Sequence, residues 1–84
     1  MMQITDWIPC EDGTFVRLAV PDDGGENEIL ADVYFEEDSW WGSCPSGMEP
    51  INGQVVMYAF PAEDAETARR ECDEALTERG LDLP

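Results

Sequence analysis

The excess of acidic residues is the feature that most constrains how this chain folds. Twenty of the 84 residues are Asp or Glu, four are Arg, and none is Lys or His, which gives a formal net charge of −16. This surplus opposes a compact state by self-repulsion, repels nucleic acid and anionic membranes, and attracts basic surfaces. Disordered acidic chains have few aromatic residues, whereas this one holds three Trp, two Tyr and three Phe. We therefore predict one small folded domain with a modest core.

The N-terminal sequence and the cysteines favour a cytoplasmic protein. Residues 1–5 lack the basic start and the apolar run of a signal peptide, and no stretch approaches the ~20 apolar residues of a membrane-spanning helix. Cys10, Cys44 and Cys72 form an odd, widely spaced set, unlike a disulfide framework. We expect reduced thiols, no membrane contact, and either a monomer or a homodimer.

Turn signals and alternating apolar residues predict an antiparallel sheet of about four strands. Asp12-Gly13 and Asn52-Gly53 are typical of tight two-residue turns. The first hairpin places Trp7 inward but leaves Ile8 outward, which favours a bulge there. Residues 39–48 are expected to be irregular, apart from a short strand at their start. The predicted strands are 4–10, 14–20, 28–37 and 54–60. The last of them is the most apolar and is expected to be central in the sheet.

The second and third predicted strands have one favoured register. If Val20 lies opposite Ile29, the apolar residues of both strands share one side, and Arg17 faces Asp32 on the other. A shift by one residue would bring polar groups to the core face. The residues expected on the core face are therefore Val16, Leu18, Val20, Ile29, Ala31 and Val33.

The last quarter of the chain predicts a single helix. Pro61 is expected to end the preceding strand and open a helix over 62–79, with Gly80 at the C′ position and Leu81 after it. The apolar stripe at helical spacing is Ala65, Ala68, Cys72, Ala75 and Leu76. We predict one α+β domain, with the helix packed on one face of the antiparallel sheet. Its parts are the sheet and loops at 1–60, the helix at 61–80 and a tail at 81–84.

The residue types that most catalytic and metal chemistry requires are absent or scattered. Without His or Lys, the chain lacks the commonest general base and the amine of Schiff-base chemistry. Cys72 lies on the predicted buried stripe, and the acidic neighbours of Cys10, Glu11 and Asp12, disfavour a thiolate. No C-x-x-C pair or EF-hand spacing occurs. We predict a protein that is not an enzyme and holds no metal or cofactor.

The uncompensated charge falls on the predicted sheet. Residues 1–62 hold twelve acids and one Arg, whereas 63–84 hold eight acids and three Arg. Adjacent strand residues point to opposite faces, so one of Trp40 and Trp41 is expected in the core and the other at the surface. An exposed Trp beside carboxylates is a typical interface anchor.

We predict that a partner binds the acidic and aromatic residues of the sheet. Within the third predicted strand, Glu28, Asp32 and Glu36 are expected on one face, about 13 Å apart. The candidate partner-binding residues are Asp22, Asp23, Glu26, Glu28, Asp32, Glu36, Glu37, Asp38, Trp40 and Trp41.

These features resemble a known class, the small acidic single-domain proteins of phages and mobile elements, which includes anti-CRISPR proteins and other DNA mimics. The resemblance rests on the size, the acid excess at 22–38 and the sheet-plus-helix plan. It implies that the chain inhibits a nucleic-acid-binding protein, such as a CRISPR effector, a restriction enzyme or a repair enzyme. The chain itself would not contact nucleic acid, and a phage-encoded protein would act in the host cytoplasm.

Two other interpretations fit the same residues. A halophile's housekeeping domain would also have surplus acid without Lys, because high salt screens the repulsion. An adaptor or antitoxin-like module would bind a basic protein chiefly through Trp40 and Trp41, and its charges would only steer association. The three interpretations differ in whether the carboxylates, the tryptophans or neither carry the binding.

Overall fold

The computed structural model describes residues 3–47, 49 and 51–84. Within them, six strands form one antiparallel sheet and one helix packs on it. The strand order is β1-β3-β4-β5-β6, and β2 also pairs with β3. This confirms the predicted α+β class, with more strands than expected. The elements are β1 (Gln3–Ile4), β2 (Ile8–Pro9), β3 (Phe15–Val20), β4 (Glu28–Glu36), β5 (Ser39–Pro45), β6 (Met57–Ala62) and α1 (Ala65–Glu78).

The core lies between α1 and the sheet face that it covers, which we call the covered face. The predicted helix stripe is confirmed, since Ala68, Cys72 and Leu76 are buried, and Ala65 and Ala75 pack at the margin of the core. Small residues let the helix lie close to the sheet. The fully enclosed cluster consists of Ala31, Val33, Cys44, Ala68, Cys72 and Leu76.

Gly42 in β5 allows the closest approach within this core. A Cβ atom at this position would overlap the ring of Phe60 and lie 3.1 Å from the Cys72 sulfur. The absence of a side chain therefore admits the aromatic ring of β6 beneath the helix.

The predicted register between β3 and β4 is wrong. Arg17 lies opposite Ala31 and Leu18 lies opposite Ile29, so Leu30 is an extra residue in a bulge of β4. The shift turns Arg17 to the covered face and Leu18 to the other side of the sheet. That other side, which we call the open face, receives four residues that were expected in the core: Val16, Leu18, Val20 and Ile29, of which Ile29 is 58% exposed.

Arg17 occupies the covered face because the helix supplies its counterion. Its Nε and Nη2 atoms donate to the two carboxylate oxygens of Asp73 at 2.9 and 3.2 Å, and Nη1 donates to the Thr5 carbonyl at 2.7 Å. The Trp7 indole also donates to Asp73, at 3.0 Å, and its ring lies 5.1 Å from the guanidinium carbon. The buried cation thus has both the paired charge and the hydrogen bonds that its desolvation requires.

The first predicted strand is interrupted, as Trp7 and Ile8 suggested. β1 and β2 pair with β3 in registers that differ by one residue, and Trp7 between them packs against the core. The hairpin that follows has three loop residues instead of two. Cys10 N–H donates to the Thr14 carbonyl at 2.8 Å, and Gly13 takes the left-handed conformation (φ 87°) that such a loop requires.

Residues 39–45 form a regular strand, which corrects the expectation of an irregular segment. The turn before it consists of Glu37 and Asp38, with φ of 53° and 62°. Two positive φ values are typical of a type I′ hairpin turn, but neither residue is the Asn or Gly that marks such a turn in a sequence. The predicted two-residue turn at Asn52-Gly53 is confirmed by the bridge between Ile51 and Gln54.

The apolar strand predicted to be central is the edge of the sheet. β6 includes Pro61, which the sequence assigned to the start of the helix. Proline is tolerated on an edge strand because its missing N–H can face solvent. The helix instead begins at Ala65, with Asp64 as the N-cap accepting from Thr67 N–H at 2.7 Å. That bond lowers the pKa of Asp64.

The predicted helix end is confirmed. Gly80 has φ of 86° and donates to the Thr77 carbonyl at 2.9 Å, and Leu81 donates to the Leu76 carbonyl at 3.2 Å. These two bonds define a Schellman motif. They turn the tail back so that Leu81 and Leu83 pack against the core.

Asp73→Ala is expected to lower the free energy of unfolding by about 3 kcal/mol, because it leaves the buried Arg17 with only the exposed Asp6 carboxylate, 3.9 Å away, as a counterion. The Arg17 side chain is 3% exposed, so water cannot replace the lost carboxylate. Urea unfolding monitored by circular dichroism measures the change. Glu74→Ala, at the next and exposed helix position, is the control and should change stability by less than about 0.5 kcal/mol. Equal effects of the two substitutions would show that the pair is unimportant.

Candidate functional site

The open face combines aromatic, aliphatic and acidic side chains that the single described helix leaves uncovered. β4 contributes alternate residues to this face, and β5 supplies their cross-strand partners. Val16 and Leu18 of β3 lie alongside. The central cross-strand pairs are Asp32 with Ser43, Tyr34 with Trp41 and Glu36 with Ser39.

Asp32 is a half-buried carboxylate at the centre of the open face. Burial raises its pKa, and a hydrogen bond with Ser43 acts in the opposite direction. Tyr34 lies between two carboxylates on the same strand, and its pKa is raised by desolvation and by the charges of Asp32 and Glu36. This strip of acceptors is suited to guanidinium and ammonium groups, which would relieve the desolvated negative charge.

The two tryptophans lie on opposite faces, as strand alternation predicts. Trp40 packs against the core and meets Phe35 edge-on, with ring centroids 5.3 Å apart. Trp41 is on the open face, where its indole N–H donates to the Glu36 carbonyl at 3.0 Å. Of the two candidate anchors, Trp41 is therefore the one available to a partner at this face.

Glu28 does not share a face with Asp32 and Glu36, which corrects the prediction. The bulge at Leu30 reverses the alternation, so that Glu28 lies opposite Ala19 of the covered side. Asp32 and Glu36 remain together on the open face.

The acidic loops lie at opposite ends of β4. Asp22, Asp23 and Glu26 are exposed in the loop before it, and Glu37 and Asp38 are exposed in the turn after it. The nine residues of β4 separate the two groups by about 26 Å. The candidate residues thus form a line, with acids at both ends and Asp32 and Glu36 between, instead of one cluster.

The burial of Arg17 leaves this side of the molecule without an exposed Lys or Arg. Arg17 is the only cationic side chain in residues 1–62, and it is 2% exposed. The other three, Arg69, Arg70 and Arg79, belong to α1 and its C-cap. The sequence showed only that the surplus negative charge belongs to residues 1–62. The burial of Arg17 leaves that charge without a compensating cation at the surface of the sheet.

Tyr34 and Ser43 are the site residues that the sequence did not single out. The alternation of Asp32, Tyr34 and Glu36 was a usable signal for Tyr34. No sequence signal pointed to Ser43, because its segment was predicted to be irregular.

Two of the three cysteines, Cys44 and Cys72, are buried. Burial raises the pKa of both Cys44 and Cys72, which keeps them as thiols. No group of three or more His, Cys, Asp or Glu among the described residues is arranged to hold a metal ion. No described helix has the length and apolar content needed to span a membrane.

No protein-family model matches this sequence, and no curated protein or solved structure is significantly similar to it. The chemistry of the open face is therefore the basis for the function proposed below.

Asp32→Asn is expected to raise the urea midpoint of unfolding at neutral pH. The folded protein holds the Asp32 proton more tightly than the unfolded chain, so this group's contribution to stability falls as pH rises through the raised pKa. Asparagine removes that cost and keeps a hydrogen-bonding group beside Ser43. The advantage of the variant should disappear below the ordinary carboxyl pKa of 3.8.

Glu11→Gln is the control for this measurement, because it removes the same charge from an exposed loop position. It should give a smaller rise, from reduced overall repulsion alone. An advantage of Asp32→Asn that is no larger than that of Glu11→Gln would contradict the assignment of Asp32 as a desolvated carboxylate.

Proposed function

We propose that this protein binds and inhibits a nucleic-acid-binding protein, by presenting the carboxylates of the open face and its end loops to that protein's basic groove. The observation that carries the proposal is the burial of Arg17, 2% exposed, which leaves no exposed Lys or Arg beside the carboxylates of the open face and its end loops. Charge of one sign over a rigid surface steers a basic partner and speeds association.

The dimensions of the acidic line support mimicry of nucleic acid. Its two loops are about 26 Å apart, which is the axial rise of roughly eight base pairs at ~3.4 Å each. Asp32 and Glu36 lie between them on a twisted sheet that holds their backbone in place. A groove that neutralises phosphates with Lys and Arg would meet carboxylates at several points along that length.

Asp32 distinguishes this proposal from salt adaptation. Adaptation to salt needs hydrated acids at the surface, whereas Asp32 is half buried beside Tyr34 and Ser43, where desolvation disfavours its charge. A carboxylate kept where it opposes folding is typical of a binding site. A salt-adapted domain would also lose its circular-dichroism signal in dilute buffer, whereas we expect this protein to remain folded there.

Trp41 and Tyr34 support an adaptor as the second candidate function. They form a cross-strand aromatic pair on the open face, and aromatic residues often carry most of the binding energy of an interface. In an adaptor the pair would dominate binding and the carboxylates would only steer it.

A test uses proteins first enriched on DNA-cellulose and then passed over the immobilised chain. We expect wild-type protein to retain DNA-binding proteins, which salt or duplex DNA then elutes because both compete for the same basic groove. The double variant Asp32→Asn/Glu36→Gln should lose at least about 90% of that capture, since each lost charge-assisted contact is worth ~1.5–3 kcal/mol.

The matched control is Glu74→Gln/Glu78→Gln, which removes the same charge from exposed positions of α1. It should retain capture. Equal losses in the two double variants, or retention that duplex DNA does not reverse, would contradict mimicry. Loss of capture in Trp41→Ala alone, with the carboxylate variants unaffected, would favour the adaptor.

A further inference from the structure

The outer edge of β6 is exposed and apolar. β6 ends the strand order, and no described strand pairs with its outer side. Within β6, Met57 and Tyr58 are 37% and 58% exposed. An uncovered apolar edge strand is a template for pairing with another chain.

This edge is also the part of the chain that is free of charge. Residues 50–62 contain no Asp, Glu, Lys or Arg, and they form the longest such run in a sequence of net charge −16. A basic partner would find no carboxylate within this run. Two copies of the chain repel one another through their surplus acids. That repulsion is weakest where this uncharged run of one copy faces the same run of the other.

The backbone of β6 has its free groups on that edge. Ser46 N–H donates to the Val56 carbonyl at 2.9 Å, so the backbone groups of Val56 point toward β5. Along the residues that follow, the backbone groups point alternately away from β5 and toward it. Tyr58 and Phe60 therefore turn their backbone groups toward β5, and Met57 and Ala59 turn theirs outward. Pro61, which has no N–H, falls at an outward position, where no bond to β5 is lost.

We propose that two copies of the chain associate through this edge, by antiparallel pairing of β6 with β6 about a twofold axis at Ala59. This register exchanges two hydrogen bonds between the Ala59 residues and adds one from each Met57 N–H to the Pro61 carbonyl across the axis, roughly four in all. It also places Tyr58 opposite the partner's Phe60, a favourable aromatic pair. Within one chain these two rings already stack, with centroids 6.1 Å apart.

The proposed dimer does not depend on the function proposed above, and salt separates the two. Dimerisation of two anionic chains should strengthen as salt screens their repulsion, whereas binding to a basic groove should weaken. Because the axis is perpendicular to the sheet, the open faces of both copies lie on the same side.

Sedimentation equilibrium of the full chain over a wide concentration range tests the proposal. We expect a monomer of 9.4 kDa in reversible equilibrium with a species of twice that mass. Ala59→Pro removes the outward N–H, and Tyr58→Asp places a carboxylate on the neutral edge. Each should raise the dimer dissociation constant at least about tenfold, and circular dichroism should show that both remain folded.

Phe35→Asp is the matched control. Phe35 is 56% exposed, it lies on the same side of the sheet as Tyr58, and it also contacts a second aromatic ring. It should leave the dissociation constant unchanged. A wild-type protein that stays monomeric at every concentration and in high salt, or an equal effect of Phe35→Asp and Tyr58→Asp, would overturn the proposal.

Amide hydrogen exchange on the unaltered protein gives a result that does not depend on any variant. The amides of Met57 and Ala59 should become protected as the concentration rises and the dimer forms. A dimer in which these two amides exchange at the rate of the monomer would use another surface, and the proposed pairing would be wrong.

Discussion

The ion pair between Arg17 and Asp73 is the interaction on which the rest of the structure depends. A guanidinium enclosed between sheet and helix is tolerable only with a charged, hydrogen-bonded partner, and the helix supplies that partner from a residue 56 positions away. Once Arg17 faces inward, the register of β3 is set, and with it the face of every residue on that strand. The same group of contacts holds the N-terminal segment, through Thr5 and Trp7.

The open face follows from this arrangement. Because Arg17 points to the helix, Val16 and Leu18 point away from it, and a sheet with one helix has nothing to cover them. The core is correspondingly small, and its largest fully buried side chains are Leu76, Val33 and Cys72. The desolvated Asp32 opposes the stability of the free protein, and apolar side chains that stay uncovered contribute little to it. A basic partner that covered both would gain from each. Such a conflict between folding and surface chemistry is expected where a protein binds.

The sequence predicted those elements whose pattern is local. The helix stripe repeats at helical spacing and β4 alternates regularly, so both were recognised, as was the Schellman end at Gly80. The register failed because a lone Arg among Val and Leu resembles a surface residue unless Asp73 is known to lie beneath it. β5 was missed because the residues of its turn, Glu37 and Asp38, give no turn signal. At the site, composition located the acids, but the bulge at Leu30 decides that Glu28 leaves the face of Asp32 and Glu36.

The buried Arg also determines how the surface charge is divided. With Arg17 enclosed, the exposed Arg residues lie on α1 and its C-cap, the open face and its loops are anionic, and β6 itself contains no charged residue. The proposed pairing with a second copy would account for the composition of β6, which resembles that of a central strand, since a covered strand has the composition of an interior one. The two proposed interactions therefore use different surfaces and should respond to salt in opposite directions: salt should weaken binding of a basic groove at the open face and strengthen pairing of identical edges at β6. The proposed association through β6 would also leave the line of carboxylates free, because its backbone pairing uses none of them.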